Sequence, residues 1–480
     1  MTTHTHAVLH RALRHAEEFL DGLPRRPVAA TASARELRAR LDVTPNERGI
    51  DAVQVLDDLV AAADGGLLGC PSGRFFAWVI GGALPSALAA DWLTSAWDQN
   101  AVTHACGPAA CVVEEVVGEL LKQLFGLPSA CSFALTTGCQ LAHFAGLAAA
   151  RYAVLQNAGC DVHEHGLAGS PPLRVLASDQ CHGSIHRALR YLGIGRRQII
   201  AMKTDGNGRV DVSALVGVLR ESSAPTIMVL NAGDINTAAF DPFAALIPLA
   251  HDHGAWVHVD GAFGLAARFS QSKSHLLEGV EAADSWATDA HKWLNVPFDC
   301  GVAFVRHAAA HRAAMSIQAD YIEVSASHRD PIDWTPEWSR RARGFALYAA
   351  LRELGREGLA NMIDRCCAHA LAIVDGLGEL PGVEVLHRPT LNQGLVRFLA
   401  PRAGATQSEH DARTDEMVAS VNASGEAFFS GTTWRGRRAM RVSVVNWRTT
   451  EADVNRALAA CAACLRPRSN NFSPNKNSHL

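Results

Sequence analysis

Two residues carry chemistry together that neither carries alone. Lys292 sits in the run DSWATDAHKWLNVPFDCG, just past one apolar strand, and Asp260 sits 32 positions earlier in HVDGAF, at the tip of another. A lysine amine can condense with an aldehyde, and a carboxylate can hold a pyridine nitrogen protonated so that the ring accepts electrons. Those are the two requirements of a pyridoxal phosphate (PLP) site. Taken singly, each residue has an ordinary explanation: an exposed lysine near a strand end, and an aspartate capping a helix.

Further candidates lie at comparable places. Asp179 and His182 follow the apolar run LRVLAS (173–178), and Asn231 closes TIMVLN (226–231). The segment ALTTGCQLAHFAGLAAAR (134–151) reads as a turn running into a helix. Thr137, Gly138, Cys139 and Gln140 would then face an anion at the positive end of the helix dipole, although a simple helix cap explains the same residues. Tyr321 stands 29 positions after Lys292 in the polar stretch QADYIEVSASHRDPIDW, and is one of only four tyrosines. SRRARG (339–344) offers Arg343, whose planar guanidinium suits a carboxylate or phosphate, or simply a solvated basic face.

These residues need a scaffold. QIIAM (198–202), AWVHVD (255–260), DSWAT (284–288) and GVAFVR (301–306) join the two runs above as short apolar strands, mostly separated by helix-length segments. The pattern predicts an α/β fold with a mostly parallel sheet covered on both faces. Such sheets place their sites beyond the C-terminal strand ends, where Asp179, His182, Asn231 and Asp260 fall. Ahead of this larger unit (75–344), residues 7–20 and 34–63 read as helices of an N-terminal arm (1–74). Their apolar stripe has to be buried, a partner subunit being one candidate. From 345 a helical stretch, the strand LNQGLVRFLA, a strand pair around a Gly/Arg turn and the helix EADVNRALAACAACL predict a smaller α+β domain (345–465). The polar tail (466–480) reads as disordered.

The chain has 480 residues, 48% of them hydrophobic and 19% charged, with a net charge of −4. This balance suits a globular enzyme and argues against nucleic acid or a membrane surface as partner. The N-terminus lacks an apolar signal core, and VIGGALPSALAADWL is short and broken by Pro85, so the expectation is a cytoplasmic protein. The 12 cysteines then read as reduced thiols. Cys461 and Cys464, and the adjacent Cys366 and Cys367, lie in Ala-rich helical sequence. HEH (163–165) and HDH (251–253) have no further ligand at metal spacing, and no metal is expected.

Four motifs in order, SDQCHGSIHRALRYLGIG (178–195), NAGDINTAAFDP (231–242), HVDGAFG (258–264) and DSWATDAHKWLNVPFDCG (284–301), resemble the group II PLP-dependent decarboxylases, the family of aromatic-L-amino-acid and glutamate decarboxylases. The likeness runs over nearly the full length. It implies the type I, aspartate-aminotransferase-like fold and a homodimer with active sites at the subunit interface. It also implies roles: Lys292 as the Schiff-base lysine, His291 beside the phosphate, His182 stacked on the ring, Asp260 on the pyridine nitrogen, and Ala262 leaving room for the ring. Thr137, Gly138, Cys139 and Gln140 would meet the phosphate, although TTGCQL departs from the family's small residues and acidic residue. Burial and nearby positive charge would keep Lys292 near-neutral. Tyr321 resembles the catalytic-loop tyrosine that protonates the carbon losing CO2, and relatives with phenylalanine there form aldehydes. GRFFAWVIGGALP (73–85) resembles the stretch that lines the neighbouring subunit's substrate pocket, with Phe76, Trp78 and Ile80 as apolar lining or as ordinary core.

The implied reaction is decarboxylation of an L-amino acid, and the apolar lining favours an aromatic one. Glutamate, aspartate, diaminobutyrate and cysteine sulfinate are alternatives, as is an aminotransferase or aldehyde synthase on the same scaffold. A PLP-fold binding protein without turnover is a different class, disfavoured by the intact Lys, Asp, His and Tyr set. NAGDINTAAF departs from the commoner GTTxxGAFD pattern and brings Asp234 and Asn236 near the substrate.

Overall fold

The computed structural model describes residues 2–44, 47–317 and 328–466. Tyr321, and residues 467–480 of the expected tail, lie outside them. The strands in chain order are β1 (Phe75–Phe76), β2 (Ser132–Thr136), β3 (Arg174–Ser178), β4 (Ile199–Met202), β5 (Thr226–Asn231), β6 (Trp256–Asp260), β7 (Ser285–Asp289), β8 (Gly301–Val305), β9 (Val383–His387), β10 (Gln393–Phe398), β11 (Phe428–Trp434) and β12 (Arg437–Ser443). Seven of them form one sheet in the order β2-β8-β7-β6-β5-β3-β4. Only β8 runs against its neighbours, pairing antiparallel with β2 and β7. The remaining pairs are parallel, with helices returning the chain between them. β2 escapes a sequence reading because its five residues run straight into the helix Cys139–Asn157 and share its small apolar composition.

The edge strand β4 is only partly buried, whereas the central strands β5, β6, β7 and β8 are buried along their whole length and β3 beyond its first residue. Burial on both faces explains why they read as continuous apolar runs rather than alternating ones. Their register lines up the strand ends: Asn231 lies opposite Asp260, and Asp260 opposite Ala287.

A second sheet has the order β1-β11-β12-β10-β9. Two residues, Arg435 and Gly436, join β11 to β12, both with positive φ (49° and 74°). That is the turn whose twist matches an antiparallel pair. β1 belongs to this smaller sheet, parallel to β11, which departs from a division that starts the larger unit at residue 75. Arg74 holds the junction. Its buried guanidinium donates to the carbonyls of Leu23, Arg26, Gly425 and Glu426, tying the N-terminal arm to the smaller sheet. The arm itself comprises Thr2–Gly22, Ala34–Leu41 and Ala52–Ala63. Its stripe stays exposed in the single chain, with Leu9 57%, Val55 49% and Leu59 54% exposed. No helix among the described residues is long and apolar enough to cross a membrane.

Candidate active site

The strand ends converge on one pocket, lined by Gln180, His182, Asn231, Gly233, Asp234, Ile235, Asp260, Ala262, Phe263 and Lys292. Lys292, Asp260, His182 and Ala262, drawn from three separate motifs, therefore meet. Asp260 ends β6, and its Oδ1 accepts the Ala262 N–H at 3.1 Å. His182 caps the helix Gly183–Tyr191, with its Nδ1 2.7 Å from the Ser184 Oγ, so its ring orientation is set locally. Desolvation holds His182 below the ordinary imidazole range, against the pull of Asp260.

Lys292 lies on the single turn Ala290–Trp293 that follows β7. The loop after it is clamped. Asn295 accepts from the Gly82 N–H at 2.8 Å and the Trp447 N–H at 3.1 Å, and donates to the carbonyls of Trp293 (3.0 Å) and Val445 (3.1 Å). Two distant segments, at Gly82 and at Val445 and Trp447, thereby hold the loop that follows the amine. Its electrostatics differ from the expectation of a near-neutral amine beside positive charge. Burial does oppose the charged form, but the Asp289 carboxylate 3.2 Å away, with Cys139 and Asp260 behind it, outweighs burial and raises the Lys292 pKa.

Asp289 was not singled out by the motifs, although an acid three residues before a lysine on one helical turn is a readable pair. Its Oδ1 accepts the Cys139 N–H at 2.6 Å and lies 3.5 Å from the His291 Nε2. It thus links the lysine turn to the start of the helix Cys139–Asn157. Gly301 permits that approach, since a Cβ there would meet the Gly138 carbonyl carbon at 2.3 Å. His291 accepts the Cys300 N–H at 3.2 Å, and burial lowers its pKa.

One assignment at the helix start needs correction. The Cys139 side chain turns inward, with Sγ 3.2 Å from the His143 Nε2, and its N–H is taken by Asp289; neither is free for a phosphate. Gln140 keeps its buried Nε2 without a partner, and Thr137 is exposed. Two of the proposed pocket residues also move. Phe76 is fully buried and stacks on Phe429 at 5.3 Å in its own core, so it cannot reach a neighbouring subunit. Arg343 is buried against Asp299 (2.8 Å, at Nε) and Glu337 (3.4 Å, at Nη2), which leave only its buried Nη1 without a partner. Trp78 is 45% exposed, and Ile80 packs beside Phe75 and Val28.

Asp234 also has a different task. Its carboxylate accepts the N–H groups of Asn236, Thr237 and Ala239 and the Thr237 hydroxyl, which closes the turn 234–239 rather than serving a ligand. Asn236 accepts from Thr432 of β11 at 2.8 Å. Beside this turn is Arg441 on β12, which the motifs did not single out. It is buried, donates to the Ile235 carbonyl at 2.8 Å, and has no carboxylate partner among the described residues. Burial pulls its pKa down to about 10, with Asp234 opposing.

The cofactor fit can be judged on this geometry. A buried carboxylate, a lysine amine and a small residue at 262 share one pocket, and a buried amide donor of its lining, the Asn231 Nδ2, stands without a partner. Unpartnered buried donors are costly unless a ligand supplies acceptors. The fold and this set of groups define a type I PLP enzyme. Residues 35–400 match the pyridoxal-dependent decarboxylase conserved domain. The chain belongs to that family, as a carboxy-lyase that works with PLP.

Its relatives include an aromatic-L-amino-acid decarboxylase of Bacillus atrophaeus, 27% identical over 91% of this chain and 90% of that one. An L-2,4-diaminobutyrate decarboxylase of Rhizobium meliloti is 30% identical over 79% and 75%. The fold matches a crystal structure of Oryza sativa TDC with PLP and tryptamine at a TM-score of 0.91, with 24% identity over 97% of this chain and 98% of that chain.

Proposed function

We propose that the enzyme decarboxylates an aromatic L-amino acid to its amine and CO2. The observation that carries this reading is the pocket lining beyond the cofactor groups. Ile235 and Phe263 are apolar, and the carboxylate of Asp234 is consumed by its own turn. With Asp260 assigned to the ring nitrogen, no lining carboxylate among the described residues is left for a second substrate amine, which counts against a diamino acid. Bound PLP supplies an electron sink for the bond broken at Cα. Lys292 anchors the cofactor, with Asp289 fixing the amine. Asp260 holds the ring-nitrogen proton. His182, with its Nδ1 occupied by Ser184, presents a ring face and can move a proton at Nε2. Gln140, Gly138 and His291 would hold the phosphate.

One observation favours a second reading. Arg441 is a buried guanidinium beside Ile235 with no ion pair among the described residues, so it could bind the side-chain carboxylate of an acidic amino acid as well as an α-carboxylate. A panel of aromatic, acidic and diamino acids, scored for CO2, amine, aldehyde and keto acid, separates the readings. Tryptophan, tyrosine or phenylalanine turnover to the amine supports the first. Turnover confined to glutamate, aspartate or cysteine sulfinate, and lost in Arg441→Met, replaces it with the second.

The exposed stripe of the arm and Trp78 support a homodimer in which these surfaces meet. Light scattering that returned one subunit mass would overturn that assignment.

A further inference from the structure

Behind Asp260, away from the pocket, runs a chain of buried polar side chains that the reaction itself does not use. His143, on the helix Cys139–Asn157, lies with Nε2 3.5 Å from the Asp260 Oδ1 and 3.2 Å from the Cys139 Sγ. Its Nδ1 is 2.9 Å from the Nε2 of His258, 115 positions away on β6. The His258 Nδ1 is 2.8 Å from the Ser285 Oγ on β7, and that oxygen accepts the Trp256 Nε1–H at 2.9 Å. His143, His258 and Ser285 are each 0% exposed. Space for the chain is made by Gly146, where a Cβ would meet the His258 Cε1 at 2.9 Å.

The chain has a direction. An indole N–H can only donate, so Trp256 occupies one acceptor site of the Ser285 oxygen. If the Ser285 hydroxyl then donates to the His258 Nδ1, the His258 Nε2–H donates to the His143 Nδ1, and the His143 Nε2–H points at Asp260. Every donor finds an acceptor. In the reverse order both imidazoles donate toward Ser285. Its hydroxyl hydrogen then has no acceptor in the chain, and the His143 Nε2 lone pair faces the Asp260 carboxylate with only the weakly donating Cys139 thiol, 3.2 Å away, to meet it. Both consequences are unfavourable for buried groups. Both imidazoles are neutral, with burial pulling each pKa down to about 3, so each has one hydrogen and one lone pair to place.

We propose that Trp256, Ser285, His258 and His143 form a polarised hydrogen-bond relay that presents an N–H to Asp260, making His143 a positioning residue for the carboxylate that meets the cofactor's ring nitrogen. The relay rests on the assignment of Asp260 to that nitrogen. Removing the donor leaves the carboxylate less firmly oriented, so the ring nitrogen is less firmly protonated and the cofactor less tightly held.

The test compares PLP-loaded wild type with His143→Leu, His143→Gln, Ser285→Ala and Asp260→Asn. The readouts are the pH titration of the cofactor's visible absorbance and the PLP dissociation constant. His143→Leu is expected to shift the titration in the same direction as Asp260→Asn and to weaken PLP binding about tenfold, the scale of one hydrogen bond to a charged group. His143→Gln, which can offer an amide N–H, should recover most of both. Ser285→Ala should shift the titration in the same direction by less. An unchanged spectrum and affinity in His143→Leu, alongside a changed Asp260→Asn, overturns the relay and leaves the Asp260 assignment standing. If Asp260→Asn changes neither readout, the Asp260 assignment itself is overturned, and the relay with it. Should His143→Leu fail to fold, Ser285→Ala decides: a shift supports the relay, and its absence overturns it.

Discussion

The Asp289 carboxylate bridges two elements of the site, lying 3.2 Å from the Lys292 amine and accepting the Cys139 N–H at 2.6 Å. One side chain thereby favours the charged form of the lysine and ties down the start of the helix Cys139–Asn157. Asp289→Asn is expected to lower the Lys292 pKa and weaken PLP binding by about tenfold, the scale of one lost charge-assisted contact. Absorbance titration and cofactor dissociation measure both effects. Lys292→Ala should abolish decarboxylation and the lysine-bound visible band. Full turnover without this amine would end the proposed assignment.

The role proposed for Tyr321 concerns product rather than binding. Tyr321→Phe is expected to cut amine formation by about a hundredfold, the lower scale of a lost general acid, with aldehyde rising in its place. Amine and aldehyde quantified from one reaction decide it. An unchanged amine yield would assign the proton to another donor, His182 being the alternative.

Acid should destabilise the fold through its buried imidazoles. Burial depresses His143, His258 and His311 from 6.5 to about 3 each. The unfolded chain takes up protons at these residues first as the pH falls. The stability they preserve is therefore full above pH 6.5 and is lost progressively from 6.5 down to about 3. Urea midpoints should fall over that window. Replacing His311 with phenylalanine should flatten the fall, and an equally steep profile would show that other groups govern it.

A buried ion pair supplies the fourth expectation. Arg340 Nη1 lies 2.5 Å from the Glu114 Oε2, both side chains almost fully enclosed, and Arg329 approaches the same carboxylate at 3.9 Å. Glu114→Gln leaves two guanidinium groups without their shared counter-charge, at a cost of about 3–5 kcal/mol. Urea denaturation measures this directly. A loss below about 1 kcal/mol would mean that solvent already screens the pair.

Much of this architecture was written in the sequence. The parallel strands announced themselves as apolar runs because burial on both faces demands it, and the Arg435–Gly436 turn because its backbone needs positive φ. The motifs around His182, Asp260 and Lys292 sit at strand ends, so local pattern alone assigned them to one rim. What the sequence could not specify was side-chain direction. Cys139 turning inward, Phe76 packing on Phe429, Arg343 meeting Asp299 and Asp234 closing its own turn depend on which neighbours arrive from distant segments. The same holds for His143 and His258, which carry no spacing signal and become a pair only when a helix crosses a strand. Periodicity records which face is buried. Only the packed structure decides which polar atoms meet across it, because hydrogen-bond partners are chosen at ångström scale by elements far apart in the chain.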